Sequence, residues 1–210
     1  MSDTREKILY AALRLFARDG YEAVPVSRIA GELGMTKGAL YRHYQSKRDI
    51  FDQILARMEQ MDYEGAVACQ MPAGTMEQDA EAYGRTSVQA VRTYAKAQFR
   101  YWTENEFSAN FRKMLTLEQY RDGEMAQLYQ RYLVSGPLGY MADIFSQITG
   151  DQQTGMDKAL AFYGPFFLMY GVYDGAEDKE SVKERLDRYL EWFSRSHRNL
   201  SPEADPAKTI

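Results

Sequence analysis

The sequence predicts an all-α fold, with a small N-terminal helical module followed by a larger C-terminal helical domain. Three observations predict it. Apolar residues recur at helical spacing along almost the whole chain. No run alternates apolar and polar residues for long enough to suggest a sheet. Gly, Pro and Asp-Gly breaks fall at intervals that suit helices. Ile8, Ala12, Leu15 and Phe16 form the first apolar stripe, and Gly20 stops it. Val26, Ile29, Ala30 and Leu33 form a second, shorter stripe, with Pro25 as a first-turn residue and Gly34 as its end. Thr36 is placed to cap a third short helix carrying Leu40 and Tyr44. Gln45-Ser46 is the next break. Ser46 caps a long fourth helix with Ile50, Phe51, Ile54, Leu55, Met58 and Met61 on its apolar side, and Asp49 stands where a capping box has Glu.

Met71-Pro72-Ala73-Gly74-Thr75 is the clearest internal punctuation. Beyond it the pattern predicts one helix of about 30 residues ending at Glu104. Helical segments follow, broken near Asp122-Gly123, Gly136-Pro137 and Gly150. Residues 156–173 read as a helix kinked at Gly164-Pro165 and closed by Asp174-Gly175. The last helix aligns Val182, Leu186, Tyr189, Leu190 and Phe193 on one face, and 200–210 read as a flexible tail. No internal repeat is visible.

Composition narrows the class. With 45% hydrophobic and 27% charged residues, the 210-residue chain has enough apolar side chain to bury a core, which sets disorder aside. No stretch approaches the roughly 18 uninterrupted apolar residues of a membrane span, and the mixed charges from Asp3 to Lys7 do not resemble an export signal. The single cysteine, Cys69, excludes an internal disulfide framework and suits a reducing cytoplasm. It reads as a small, partly buried residue, since a redox sensor would lack a resolving partner within the chain. Two widely separated histidines give no metal site, and His197 reads as surface. No cofactor motif is present. The net charge of −4 hides an asymmetry: residues 1–50 carry nine Lys/Arg against six Asp/Glu, or +3. The rest, with 17 basic and 24 acidic groups, carry −7. A basic module on an acidic body can hold phosphate locally.

The two short helices joined by Leu33-Gly34-Met35 have the length and spacing of a helix-turn-helix. Ile29, Ala30 and Leu33 can pin the first helix, and Gly34 permits the tight turn. The second helix must offer small and polar groups to a major groove, and Thr36, Lys37, Gly38, Ala39, Tyr41 and Arg42 fit that demand while Leu40 and Tyr44 face the core. Lys47 and Arg48 open the next helix, where cations oppose the helix dipole; an adjacent phosphate would explain them.

Residues 8–55, and especially Phe16 to Phe51, resemble the DNA-binding domain of TetR/AcrR-type regulators. Phe16-Ala-Arg-Asp-Gly20-Tyr21 and the run from Ile29 through Gly34, Tyr41 and Tyr44 to Lys47 carry the likeness nearly position by position. The resemblance implies a three-helix DNA-binding domain in 1–48, a connecting helix over 46–70, and a helical ligand-binding and dimerisation domain in 49–199. It also implies that Thr36, Tyr41, His43, Tyr44 and Lys47 touch phosphate, and that Lys37, Gly38, Ala39 and Arg42 face the groove. At Val24-Pro25 the chain departs from the usual Thr or Ser; Ser27 is a replacement for the lost hydroxyl. For the lone cations the competing reading is solvated surface charge, and for His43 it is a hydrogen-bonded core position.

Aromatic residues crowd the stretch between 90 and 150 and return from Phe162 to Tyr173. Much of this must be core, but Tyr and Trp carry polar groups that want partners when buried, and a ligand cavity supplies them. Tyr101, Trp102, Phe111, Met114 and Tyr132 are the candidate lining of an apolar, aromatic effector cavity. The expected partners are a double-stranded DNA operator, a small-molecule effector and a second copy of the chain. The copies would meet through the last two helices, about 156–196, because one module spans only a half-site. The effector would act by population shift, changing the spacing of two recognition helices. A helical enzyme is the rival from another class, but no nucleophile–base pair, paired acids or phosphate loop supports it. An architectural DNA binder without an effector and a helical interaction protein with a vestigial motif are the other two.

Overall fold

A computed structural model of the chain describes residues 3–72, 74, 75, 78 and 80–196. The surface assignment of His197 and the tail at 200–210 lie outside the described residues, as does Ala73 of the 71–75 break. Among the described residues every regular element is an α-helix, as the apolar periodicity predicts. No helix among them is long and apolar enough to cross a membrane.

The chain divides into two compact units. The first takes the described part of Met1–Tyr63 together with Glu104–Arg131. It contains α1 (Asp3–Asp19), α2 (Val26–Glu32), α3 (Lys37–Leu40), the first part of α4 (Lys47–Ala68), α7 (Glu106–Glu118) and most of α8 (Gly123–Leu133). Its core is built on the α1 stripe: Ile8, Leu9, Ala12 and Phe16 are fully buried, and α1 packs along α7. Tyr10 meets Phe107 edge-on at 5.1 Å, and Tyr21 sits between Phe16 and Phe51 at 5.0 and 5.1 Å.

The second unit takes Glu64–Thr103 and the described part of Tyr132–Ile210. It holds α5 (Ala80–Arg85), α6 (Val88–Glu104), α9 (Ser135–Thr149), α10 (Gln152–Gly175) and α11 (Lys179–Ser196). The predicted single helix ending at Glu104 is two helices, because Thr86-Ser87 interrupts it and the Ser87 hydroxyl accepts from the Ala90 amide at 3.1 Å to start α6. The break expected at Gly136-Pro137 falls earlier, at Val134, and those two residues lie in the first turn of α9, where Pro costs no hydrogen bond. Gly150 closes α9 in the left-handed region, with φ +73°, and Asp151 caps α10 through the Thr154 amide at 2.7 Å. Hydrogen bonds from the Thr154 side chain and amide hold the Asp151 carboxyl below its ordinary value.

Gly155 then lets α10 lie close on α9, since a Cβ there would come within 2.6 Å of the Ser146 nitrogen. Phe145, Phe162 and Phe193 join α9, α10 and α11 with ring centroids 5.1–5.8 Å apart. Phe99 of α6 stacks on Tyr170 at 5.5 Å. α10 runs as one helix through Pro165. Proline has no N–H to give the carbonyl of Ala161 one turn back, and the Tyr189 hydroxyl of α11 donates to that oxygen instead. Burial raises the Tyr189 pKa above its ordinary value.

Candidate nucleic-acid interface

The candidate surface belongs to the first unit and is set by local chain chemistry. α1 ends at Gly20, whose φ of +87° suits glycine, with its amide on the Phe16 carbonyl at 2.9 Å. The next amide, of Tyr21, donates to the carboxylate of Glu118 on α7 at 3.1 Å. Glu118 is only 3% exposed, and a Cβ on Gly20 would collide with its Oε1. Pro25 stands at the N-cap of α2, one residue earlier than a first-turn position, and gives no side-chain cap. Gly34, with φ +63°, turns the chain so that the Met35 amide returns to the Ala30 carbonyl at 2.8 Å. Thr36 then caps α3, its Oγ1 accepting from the Ala39 amide at 3.1 Å.

α3 is a single turn, so Leu40 and Tyr44 do the anchoring. Leu40 is fully buried and Tyr44 is 1% exposed. The Tyr44 hydroxyl donates to the Arg5 carbonyl at 3.1 Å, and the Arg5 guanidinium lies 4.7 Å from its ring centre. Burial raises its pKa. Tyr44 is therefore corrected from a phosphate contact to an anchor, since its one polar group is directed inward.

Around the same turn Thr36, Lys37, Gly38, Tyr41 and Arg42 are exposed, as is Ser27 of α2, and Ala39 and His43 are half-buried. The Lys37 ammonium lies 5.7 Å from the Tyr41 ring centre. A Cβ on Gly38 would meet nothing within 4 Å. Packing does not require glycine there, and the backbone at Gly38 is open to close approach. The Thr36 oxygen serves the cap and leaves its hydroxyl hydrogen to donate outward.

The two cations that open α4 have partners inside the chain. Lys47 donates to the carbonyls of Tyr21 and Glu22 at 3.0 and 3.4 Å and lies 4.3 Å from the Tyr21 ring centre. Arg48 makes a two-pronged pair with Glu124 of α8 at 2.6 and 2.7 Å and a further bond to Asp52 at 2.8 Å. The hydrogen bond from Arg48 holds the Glu124 carboxyl below its usual range and raises the pKa of Arg48. The phosphate invoked for cations at this helix start is thus not needed to explain them. The predicted Ser46 cap is present, with the Asp49 amide on its Oγ at 3.0 Å, while the Asp49 carboxylate accepts from Gln45 at 2.8 Å.

Glu118 and Glu124 went unnoticed in the sequence, because each serves a residue more than seventy positions away. Of the five effector candidates, Tyr101 (half-buried), Trp102 and Tyr132 belong to the second unit, whereas Phe111 and Met114 are fully buried on α7 of the first. Among the described residues no cluster of three His, Cys, Asp or Glu could hold a metal ion.

An exposed polar turn on a buried anchor, following a short helix and a glycine turn, defines a helix-turn-helix module. Residues 8–54 match the family of bacterial regulatory proteins named tetR. Similar curated proteins include the HTH-type transcriptional regulator AcrR of Shigella flexneri, 42% identical over 52 residues, 25% of this chain and 24% of that protein. The HTH-type transcriptional repressor BepR of Brucella suis is 41% identical over 56 residues, 27% of each chain. These matches span about a quarter of either protein. Over about nine-tenths of the chain the fold is that of solved TetR-family regulators. One from Bordetella parapertussis has a TM-score of 0.61 at 19% identity, covering 92% of this chain and 95% of its own. SmeT, the repressor of the Stenotrophomonas maltophilia multidrug efflux pump SmeDEF, has a TM-score of 0.59 at 18% identity, covering 93% and 90%. SmeT is also solved in complex with triclosan, with a TM-score of 0.61 at 16% identity and coverage of 92% and 90%.

Proposed function

We propose that this chain is a ligand-responsive DNA-binding transcriptional regulator, a repressor released from a palindromic operator by a small, largely apolar or aromatic effector. The observation that carries the reading is the exposed turn Thr36–Arg42, with open space over Gly38, inside a segment matching a family of bacterial regulators. In this reading Lys37, Gly38, Ala39 and Arg42 approach base edges, and Ser27, Thr36, Tyr41 and His43 hold phosphates. Lys47 acts mainly by clamping the turn after α1, adding positive charge at the rim. Residues 1–48 bind DNA, the helix over 46–70 connects, and 49–199 receive the effector and pair two copies in the cytoplasm.

Pairing through the last two helices is supported by the apolar groups left exposed there. Met156, Leu160, Leu168 and Val172 fall on one four-residue row of α10 with Phe167 beside it, and Trp192 of α11 is 59% exposed. A small-molecule effector is supported by the triclosan complex of SmeT, a protein of the same fold. Tyr101, Trp102 and Tyr132 are the effector contacts proposed within the second unit; Phe111 and Met114 belong to the core of the first. The effector favours one arrangement of the paired chains over another and so lowers operator affinity.

The test is selection from a genomic DNA-fragment pool at fixed salt, followed by release assays on the selected fragment with a panel of aromatic compounds. Enrichment of a short palindrome, released by at least one compound, is the expected outcome. A purified protein that enriches no sequence would overturn the reading.

A further inference from the structure

The second unit contains an open polar cleft of about 580 Å³ where the start of α6, the end of α9 and the end of α11 come together. Three arginines line it, Arg85, Arg92 and Arg195, against one acid, Glu191. This concentration of positive charge lies in the part of the chain, residues 51–210, that carries −7 overall. Arg85 pairs with Glu81 and Arg195 with Glu191, each one helical turn away, and these arginines are 72% and 66% exposed. Exposed pairs of this kind are weak and give up their cation readily to a better acceptor. Arg92 is half-buried, and its Nε–H is buried with no hydrogen-bond partner among the described residues. An unmet guanidinium donor leaves Arg92 without a competing acceptor, and the residue lines the cleft. Gln89 and Gln147 also line the cleft. The first turn of α6 opens into the same space, and its end of the helix dipole carries the same sign.

We infer that this cleft binds a small anion, carboxylate- or phosphate-bearing, with Arg92 as its fixed donor and Arg85 and Arg195 as mobile ones. The site is separate from the proposed aromatic effector contacts, none of which lines it. A forked guanidinium suits the paired oxygens of either anion, and the cleft has room for a molecule of several heavy atoms beyond the charged group.

The test is calorimetric titration of the full, DNA-free chain with inorganic phosphate and, separately, with succinate, at ionic strength held constant with sodium chloride. Saturable binding of either probe is expected, weakened tenfold or more by Arg92→Gln and partly retained by Arg92→Lys. Arg195→Gln, on an exposed side chain, serves as the second variant, with an expected loss of about threefold for one mobile charge-assisted contact. Binding of phosphate alone assigns a phosphate-bearing ligand, and of succinate alone a carboxylate. Absence of saturable binding by both probes, or binding unchanged in folded Arg92→Gln and Arg195→Gln proteins, overturns the inference. Because the titration uses neither DNA nor an aromatic compound, its failure is distinct from failure of the proposed repressor function.

Discussion

The two units are held together by different means. In the first, order around the exposed Thr36–Arg42 turn rests on single contacts: the Thr36 cap, the Gly34 turn, the Tyr44 hydroxyl on Arg5, and the Glu118 and Glu124 carboxylates on the Tyr21 amide and Arg48. In the second, order rests on bulk. Phe145, Phe162 and Phe193 fill the space between three helices, and Phe99, Phe166, Tyr170 and Tyr173 continue the layer. Point contacts demand particular residues at particular places, so the first unit keeps a readable signature. A layer of rings demands volume and apolarity, which many sequences provide. The relatives diverge accordingly: curated proteins match over about a quarter of the chain at around 40% identity, while likeness to solved structures over 88–93% of the chain persists at 12–23%.

The comparison can be broken most forcibly in the ring layer. Phe162→Ala removes a ring at van der Waals contact with two others and should cost about 3–5 kcal/mol, seen as a large fall in the chemical-denaturation midpoint. Phe162→Leu should recover most of it, as a bulk-packed unit implies. Gly20→Ala adds one methyl, yet it should destabilise by roughly 2–3 kcal/mol, because alanine resists φ +87° and the Cβ meets Glu118. No larger apolar residue should rescue it. If Gly20→Ala is neutral by thermal denaturation, the first unit is not held by point contacts.

Smaller effects sharpen the contrast. Tyr189→Phe leaves the Ala161 carbonyl without its hydroxyl donor and should cost about 1 kcal/mol with no change in DNA binding. Thr36→Ala removes the α3 cap for a similar stability loss of about 1 kcal/mol, but it should also weaken DNA binding. The smallest effect is Glu124→Gln. Pairing with Arg48 depresses the Glu124 carboxyl, so its stabilisation is present at neutral pH and is lost as pH falls below the usual carboxylate range. Wild type and Glu124→Gln should therefore differ slightly at pH 7 and converge in acid.

Local chemistry was legible in the sequence and long-range chemistry was not. Thr36, Ser46, Gly34 and Gly150 act on neighbours within four residues, and the structure places each at the helix end its type predicts. The Thr86-Ser87 break had a signal, a hydroxyl three residues before the Ala90 amide, but it was hidden in otherwise helical periodicity. Tyr44 showed both an apolar face and a hydroxyl, and only the position of the Arg5 carbonyl decides between core and surface. Arg48 reads as a phosphate-seeking cation until Glu124, 76 positions later, is seen beside it. The aromatic residues could be assigned to a core by type, but type alone does not separate a packed ring from a cavity wall. Phe111 and Met114 show this, both fully buried on α7 within the first unit.

The division between cations that face outward and cations committed within the chain is tested most directly by comparing Arg42→Ala and Arg48→Ala on the selected operator, by fluorescence anisotropy at one fixed salt concentration. Arg42→Ala should weaken binding tenfold or more and relax sequence preference, whereas Arg48→Ala should change affinity less than threefold. Equal losses in both, or a larger loss in Arg48→Ala, would contradict the assignment of the Thr36–Arg42 turn as the surface that reads DNA.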